Sequence, residues 1–206
     1  MALKIQYLGW DAFVLTTDSV RVILDPFLAG SPEHHVPPSP ISVDELESID
    51  IVAVSHSALD HLGAAFEIVR KYNAKLVCAS DVHFLASQEG IPDDKIALMV
   101  SGSKFEFEDI TIKAVDARHI SWALYNGHPV TGTPLSYVIL TKEGRTLFFG
   151  GDTSLSYDLK LYGELYRPDI ALLGVGGVLL GGRTIEEMDP YEASIAAEFL
   201  GAKTVV

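Results

Sequence analysis

The chain has a single cysteine, Cys78, so no disulfide can form within it. Cys78 lies in the apolar run from Lys75 to Ala79, where a buried structural thiol is expected rather than a nucleophile. Basic residues are scarce: 15 Lys and Arg stand against 28 Asp and Glu, a formal net charge of −13. That deficit argues against broad binding to nucleic acid or an anionic membrane, because both draw on clustered cations. The longest basic run is the pair Arg70-Lys71. No apolar stretch approaches the roughly 18 uninterrupted residues of a membrane span. The first residues begin a strand pattern at once, with no apolar signal segment. There is no G-x-S-x-G elbow, which leaves covalent catalysis by serine without support. Together these absences predict a cytoplasmic protein with a small-molecule substrate and no nucleic-acid or membrane partner. They leave homo-oligomerisation open.

What the chain does have is apolar patterning, 48% of its 206 residues, enough for one large core. Leu3, Ile5 and Tyr7 alternate with polar neighbours, the period of a half-buried strand. Ala12 to Thr16 and Val20 to Leu24 read as further strands, the latter stopped by Pro26, which has no N–H for a ladder. The proline-rich stretch from Ala29 to Pro40 is a loop. Capping-box spacing from Ser42 to Glu45 predicts a short helix towards Ser48. Strands are expected over Asp50 to Val54 and Lys75 to Ala79, followed by helices over Ala64 to Tyr72 and from about Asp81, with Ser80 as cap and Gly90 beyond its end. Ile96 to Val100, Lys104 to Phe107 and Thr111 to Val115 read as strands, and Leu135 to Thr141 with Arg145 to Phe149 as a hairpin. A second series then begins. Tyr157 to Tyr166 is amphipathic, and Ile170 to Leu173 is an apolar strand. Asp189-Pro190-Tyr191-Glu192 opens a helix that Gly201 ends, and Thr204 to Val206 starts a last strand. Each half offers strands followed by helices, with no linker between them. The expectation is one domain over residues 1–206: two mixed β-sheets face to face with helices outside, an α/β sandwich of four layers.

The polar stretch Ser55-His56-Ser57-Ala58-Leu59-Asp60-His61-Leu62-Gly63 follows the apolar run Ile51 to Val54. A polar cluster at the carboxyl end of a strand is where open α/β layers put their chemistry. Neutral imidazoles and carboxylates within six residues suit a borderline divalent cation, Zn²⁺ first, with manganese or iron as alternatives. His119 and Asp152 also follow strands, the latter in Gly150-Gly151-Asp152-Thr153, where glycines permit close backbone approach. A lone His or a G-D-T turn says little by itself; the order of all three elements says more.

The string resembles the metal-binding signature H-x-H-x-D-H of the metallo-β-lactamase fold, matching at His56, Asp60 and His61. His119 and Asp152 then stand where that fold places its later ligands. The chain also resembles the ascorbate-6-phosphate lactonase-like subgroup, in Tyr7-Leu8-Gly9, Asp25-Pro26-Phe27, Pro168 to Leu173 and Met188 to Ala193. The resemblance departs at three places. Position 58 is Ala where the family has a second His. Trp10-Asp11 follows Y-L-G where the subgroup has His. The sequence stops at Val206, where P-x-H would be expected.

The resemblance implies a hydrolase using a metal-bound hydroxide on an ester, lactone or phosphoester, with a small anionic lactone or ester favoured. His56, Asp60, His61, His119 and Asp152 would be metal ligands, with Asp60 either a ligand or the catalytic group that orients the nucleophile. With one imidazole lost at 58 and the terminal His absent, one ion is expected rather than two. Asp25 is expected to hold a ligand imidazole by its free N–H. His128 and Arg183 are expected near the substrate, Arg183 on a flexible glycine-rich rim. The alternative is a ligand-depleted fold member that acts as a binding or regulatory protein, for which Ala58 is the supporting feature.

Overall fold

Continuous apolar runs such as Phe13-Val14-Leu15 and Ile51-Val52-Ala53 demand cover on both faces, which only stacked layers supply. The computed structural model describes residues 3–180 and 183–206, and the side chains of these apart from 177–186. The first sheet contains β1 (Lys4–Gly9), β2 (Ala12–Thr16), β3 (Arg21–Leu24), β4 (Ile51–Ala53), β5 (Lys75–Cys78) and β6 (Ile96–Leu98), hydrogen-bonded in that order. β1, β2 and β3 are antiparallel, and β3 to β6 run parallel. A helical turn, α1 (Leu59–Leu62), follows β4 and leads into α2 (Ala65–Tyr72); α3 (Ser80–Gln88) follows β5.

The chain then runs through β7 (Lys104–Phe107), β8 (Ile110–Asp116), β9 (Ser121–Tyr125), β10 (His128–Gly132), β11 (Leu135–Thr141) and β12 (Thr146–Phe149). It continues through α4 (Tyr157–Tyr166), β13 (Ile170–Leu172), β14 (Gly177–Leu180), β15 (Arg183–Glu186), α5 (Pro190–Leu200) and β16 (Thr204–Val205). The second sheet has the order β16-β13-β12-β11-β8-β7, while β9–β10 and β14–β15 form separate two-stranded ribbons.

Strand alternation sorts the side chains into layers. Phe13, Leu15, Ile51, Ala53 and Val77 face the second sheet and pack with Tyr137, Ile139, Leu147 and Phe149. Their neighbours Val14, Val52, Leu76 and Cys78 face the opposite way, onto Ile68 and Val69 of α2 and Val82 of α3. From the second sheet, Val138 and Phe148 meet Leu159, Tyr162, Ala196 and Leu200 of α4 and α5. The order helix, sheet, sheet, helix is the four-layer α/β sandwich expected from the sequence.

Local departures have physical causes. The capping box at Ser42 forms, with Glu45 accepting from Ser42 N–H at 2.9 Å, but only a 3₁₀ turn over Val43–Glu45 results. Leu46 turns extended (φ −61°, ψ 137°), which lets Leu46 and Ile49 enter the core beside α2. The glycine-rich rim expected to be a loop contains the β14–β15 ribbon. The β9–β10 ribbon escapes sequence reading because its apolar Trp122 and Leu124 point outward, inverting the usual signal.

Candidate metal centre

The site is assembled where strand ends of both sheets meet. Asp25 closes β3 with a positive φ of 37° and is fully buried. Its Oδ1 accepts from Ser55 N–H at 2.7 Å, and its Oδ2 accepts from the Ser55 hydroxyl and lies 2.7 Å from His61 Nδ1. The Ser55 hydroxyl has one proton and gives it to Asp25, so Ser55 Oγ accepts from His56 Nδ1, 3.0 Å away. One serine–aspartate pair thereby holds both imidazoles by Nδ1–H and turns both Nε2 atoms the other way. Ser57 N–H donates to Ser121 Oγ at 3.0 Å, and Ser121 in turn bonds Asp81, anchoring the loop to α3 and β9.

Two glycines make the assembly possible. Gly63 (φ +41°) ends α1, and a Cβ there would lie 2.3 Å from Pro26 O. Gly151 (φ +53°) brings the Asp152 loop of the second sheet against Ser55 of the first; a Cβ there would lie 2.7 Å from Ser55 Cβ.

Asp152 Oδ2 is the meeting point. It lies 3.2 Å from His61 Nε2, 3.5 Å from His119 Nε2 and 3.9 Å from His56 Nε2. The His56 ring is centred 4.2 Å from that of His61 and 5.3 Å from that of His119. The Nε2 atoms of His56 and His61 are buried, yet neither has a hydrogen-bond partner; the 3.2 Å approach to Asp152 lacks hydrogen-bond alignment. Buried polar atoms are rarely left unpaired. Orphaned imidazole nitrogens converging on carboxylates are the donor set a borderline divalent cation takes, so the residues fit one. Two donor groups, His56–His119–Asp152 and Asp11–His61–Asp152, share Asp152, and Asp25, His56 and His61 make a third.

The electrostatics carry the same strain. Burial raises the Asp11 carboxyl to about 8, and Asp152 and Asp25 add to the rise. Burial opposes charge on His61, but Asp152 and Asp25 outweigh it and hold its pKa well above the usual value. Burial also opposes ionisation of Asp152, yet His61, His56 and His119 bring its pKa below the carboxylate range. Burial, with His61 adding to it, drives His56 well down, and burial lowers His119 too. Glu187, raised to about 7 by burial and by Asp152, completes the acidic rim.

The sequence-predicted His56, Asp60, His61, His119 and Asp152 thus come to one place, Asp60 Oδ2 lying 3.7 Å from His61 Nε2 and accepting from Trp10 Nε1 at 3.1 Å. His128 begins β10 and is exposed, paired with Tyr125 of β9. The side chain of Arg183 lies outside the described residues. Asp11 and Glu187 were missed as site residues. Asp11 was visible only as a departure after Y-L-G, and nothing local tells that the β1–β2 turn reaches the cluster. Asp11, His56, Asp60, His119, Asp152 and Glu187 line a cavity of about 800 Å³, with His61 buried behind it.

Two stacked mixed sheets, outer helices and a histidine–carboxylate cluster at their shared rim define a metallo-β-lactamase-fold hydrolase, and the beta-lactamase superfamily domain matches residues 20–206. More narrowly, the chain belongs to the UPF0173 metal-dependent hydrolase family. It is 37% identical over 205 residues to the UPF0173 metal-dependent hydrolase of Methanopyrus kandleri, covering 99% of this chain and 82% of that protein. Among solved structures it is similar to Igni18, a novel metallo hydrolase from Ignicoccus hospitalis. There the TM-score is 0.80 and the identity 26%, over 98% of this chain and 80% of the other. An isothiocyanate hydrolase from Delia radicum gut bacteria shares the fold alone, with a TM-score of 0.74 and 19% identity over 98% of this chain and 82% of that one.

Proposed function

We propose that this chain hydrolyses an ester, lactone or phosphoester of a small molecule, with His56, His61, His119 and Asp152 holding a divalent cation, zinc first and manganese or iron as alternatives. The observation that carries this reading is the pair of buried, unpartnered Nε2 atoms of His56 and His61 aimed at Asp152. A cation held there would polarise the electrophilic carbonyl or phosphoryl oxygen and acidify the attacking water. One ion remains the proposal, on Asp152 as the carboxylate common to two donor groups. Asp11 supplies a carboxylate that a count of imidazoles from the sequence omits, which weakens the reading of a ligand-depleted binding protein.

The chain's own groups do the positioning. Asp25 and Ser55 fix both imidazoles in the tautomer that leaves Nε2 free. Trp10 Nε1–H fixes Asp60 Oδ2 beside His61, and the Asp60 carboxylate would orient the attacking water and take its proton. Metal analysis of the full chain, paired with an ester and phosphoester panel with and without chelator, tests the reading. Asp152→Ala is expected to lower metal stoichiometry and turnover together; undiminished metal content would take Asp152 off the ligand set.

A further inference from the structure

A second cavity of about 700 Å³ adjoins the first. Trp10, Ala58, Asp60 and Trp122 line both, so the two volumes share a wall at the carboxylate assigned to the attacking water. Beyond that wall much of the lining is apolar, from Phe27, Leu62, Phe66 on α2, Leu85 on α3 and Leu124 on β9. Its ionisable groups are three carboxylates, Glu33, Asp60 and Glu89, and one imidazole, His34, and among the described residues no Lys or Arg lines either cavity. At its edge Leu59, Trp122 and Leu124 stand 77%, 46% and 60% exposed, an apolar patch beside the reaction centre.

We propose that this cavity holds the non-reacting part of the substrate and that this part is uncharged and apolar, an alkyl chain or aryl ring joined to the hydrolysed group. The word substrate rests on the hydrolytic reading of the adjoining centre; binding in the cavity does not. An alkyl tail leaves water for Leu62, Phe66 and Leu85, a gain proportional to the area covered. An anionic tail would meet three carboxylates and, among the described residues, no Lys or Arg in the cavity lining. The small anionic ester favoured by sequence resemblance therefore suits the lining less well than a neutral one. Ala58 keeps the shared wall thin, and its backbone (φ −60°, ψ 144°) would admit a larger side chain, so the methyl group is a matter of size.

The chain's two tryptophans, Trp10 and Trp122, both stand in the shared wall and supply the readout. The full chain, treated with chelator, is titrated with neutral octanamide and in parallel with anionic octanoate while tryptophan emission is followed. Octanamide is expected to give a saturable change with a Kd at least about tenfold below that of octanoate. Leu124→Asp, at an exposed position the fold tolerates, is expected to weaken octanamide binding, with circular dichroism confirming that it folds. No saturable change with octanamide, equal or tighter binding of octanoate, or wild-type binding by Leu124→Asp would overturn the proposal. So would sedimentation showing that octanamide dissociates a dimer, which assigns the apolar rim to a second copy of the chain. In a second arm, the metal-loaded protein receives p-nitrophenyl esters from acetate to octanoate. kcat/KM is expected to rise up to about fourfold per added methylene until the cavity is filled, and less steeply in Leu124→Asp. Octanamide binding without turnover of any ester would sink the hydrolytic reading and leave the cavity assignment standing. Turnover indifferent to chain length would do the reverse.

Discussion

At the scale of single residues, the site depends on groups that never face the substrate. Asp25 holds His61 at 2.7 Å and takes the Ser55 proton that lets Ser55 accept from His56. Removing such an orienting carboxylate is expected to weaken metal binding by about 10–100-fold. Asp25→Asn is therefore expected to lose affinity in competition with a chelating dye, with the cation still bound at saturation. Affinity equal to wild type would mean that ring orientation is set by packing alone. Cys78 shows the opposite kind of residue. It is fully buried on the helix-facing side of β5, and burial raises its thiol pKa. A thiol held protonated and covered does not attack disulfide reagents. Ellman's reagent is expected to give no signal from the folded chain and one thiol per chain in denaturant.

At the scale of elements, α1 is the piece on which the chemistry turns. It is a single helical turn carrying Asp60 and His61, ended by Gly63 with φ +41° and pressed against the Pro26 carbonyl. A methyl group at Gly63 must displace backbone, a strain of about 1–3 kcal/mol or more. Far away, α5 starts from an Asp189 capping box, whose loss costs about 1 kcal/mol. Gly63→Ala and Asp189→Ala are thus both expected to lower the denaturation midpoint, but only Gly63→Ala is expected to lower metal content as well. Equal metal content in the two variants would show that α1 can shift without disturbing the cluster. Such a turn could be guessed from Ser55 to Gly63 as a polar loop before a helix, while its break from α2 could not. The backbone at Gly63 (φ 41°, ψ −123°) and the nearness of Pro26, from a different strand end, together make glycine necessary.

At the scale of the whole molecule, the cluster joins the two sheets. His56 and His61 come from the first sheet's strand ends, and His119 and Asp152 from the second's. A cation bound only by the folded chain adds stability by mass action, about 4 kcal/mol when free metal exceeds Kd a thousandfold. Chelation is accordingly expected to lower the melting temperature by about 10 °C relative to metal-saturated protein, read by calorimetry. An unchanged melting temperature would mean that the sheets hold the site with no contribution from the ion.

The amino-acid sequence by itself determined the layers. Apolar runs such as Phe13-Val14-Leu15 and Tyr137-Val138-Ile139 can be buried on both faces only between a partner sheet and helices, whatever else the chain does. It also determined which imidazoles and carboxylates follow strands: His56, His61, His119 and Asp152. Tertiary structure alone decided what joins them. Asp11 enters because the β1–β2 turn lies over the same rim, and Glu187 because the chain returns there after β15. Strand periodicity is a local property, set by the alternation of neighbours, and survives in the linear string. Convergence of side chains from distant turns depends on how whole layers pack, and no local pattern encodes it.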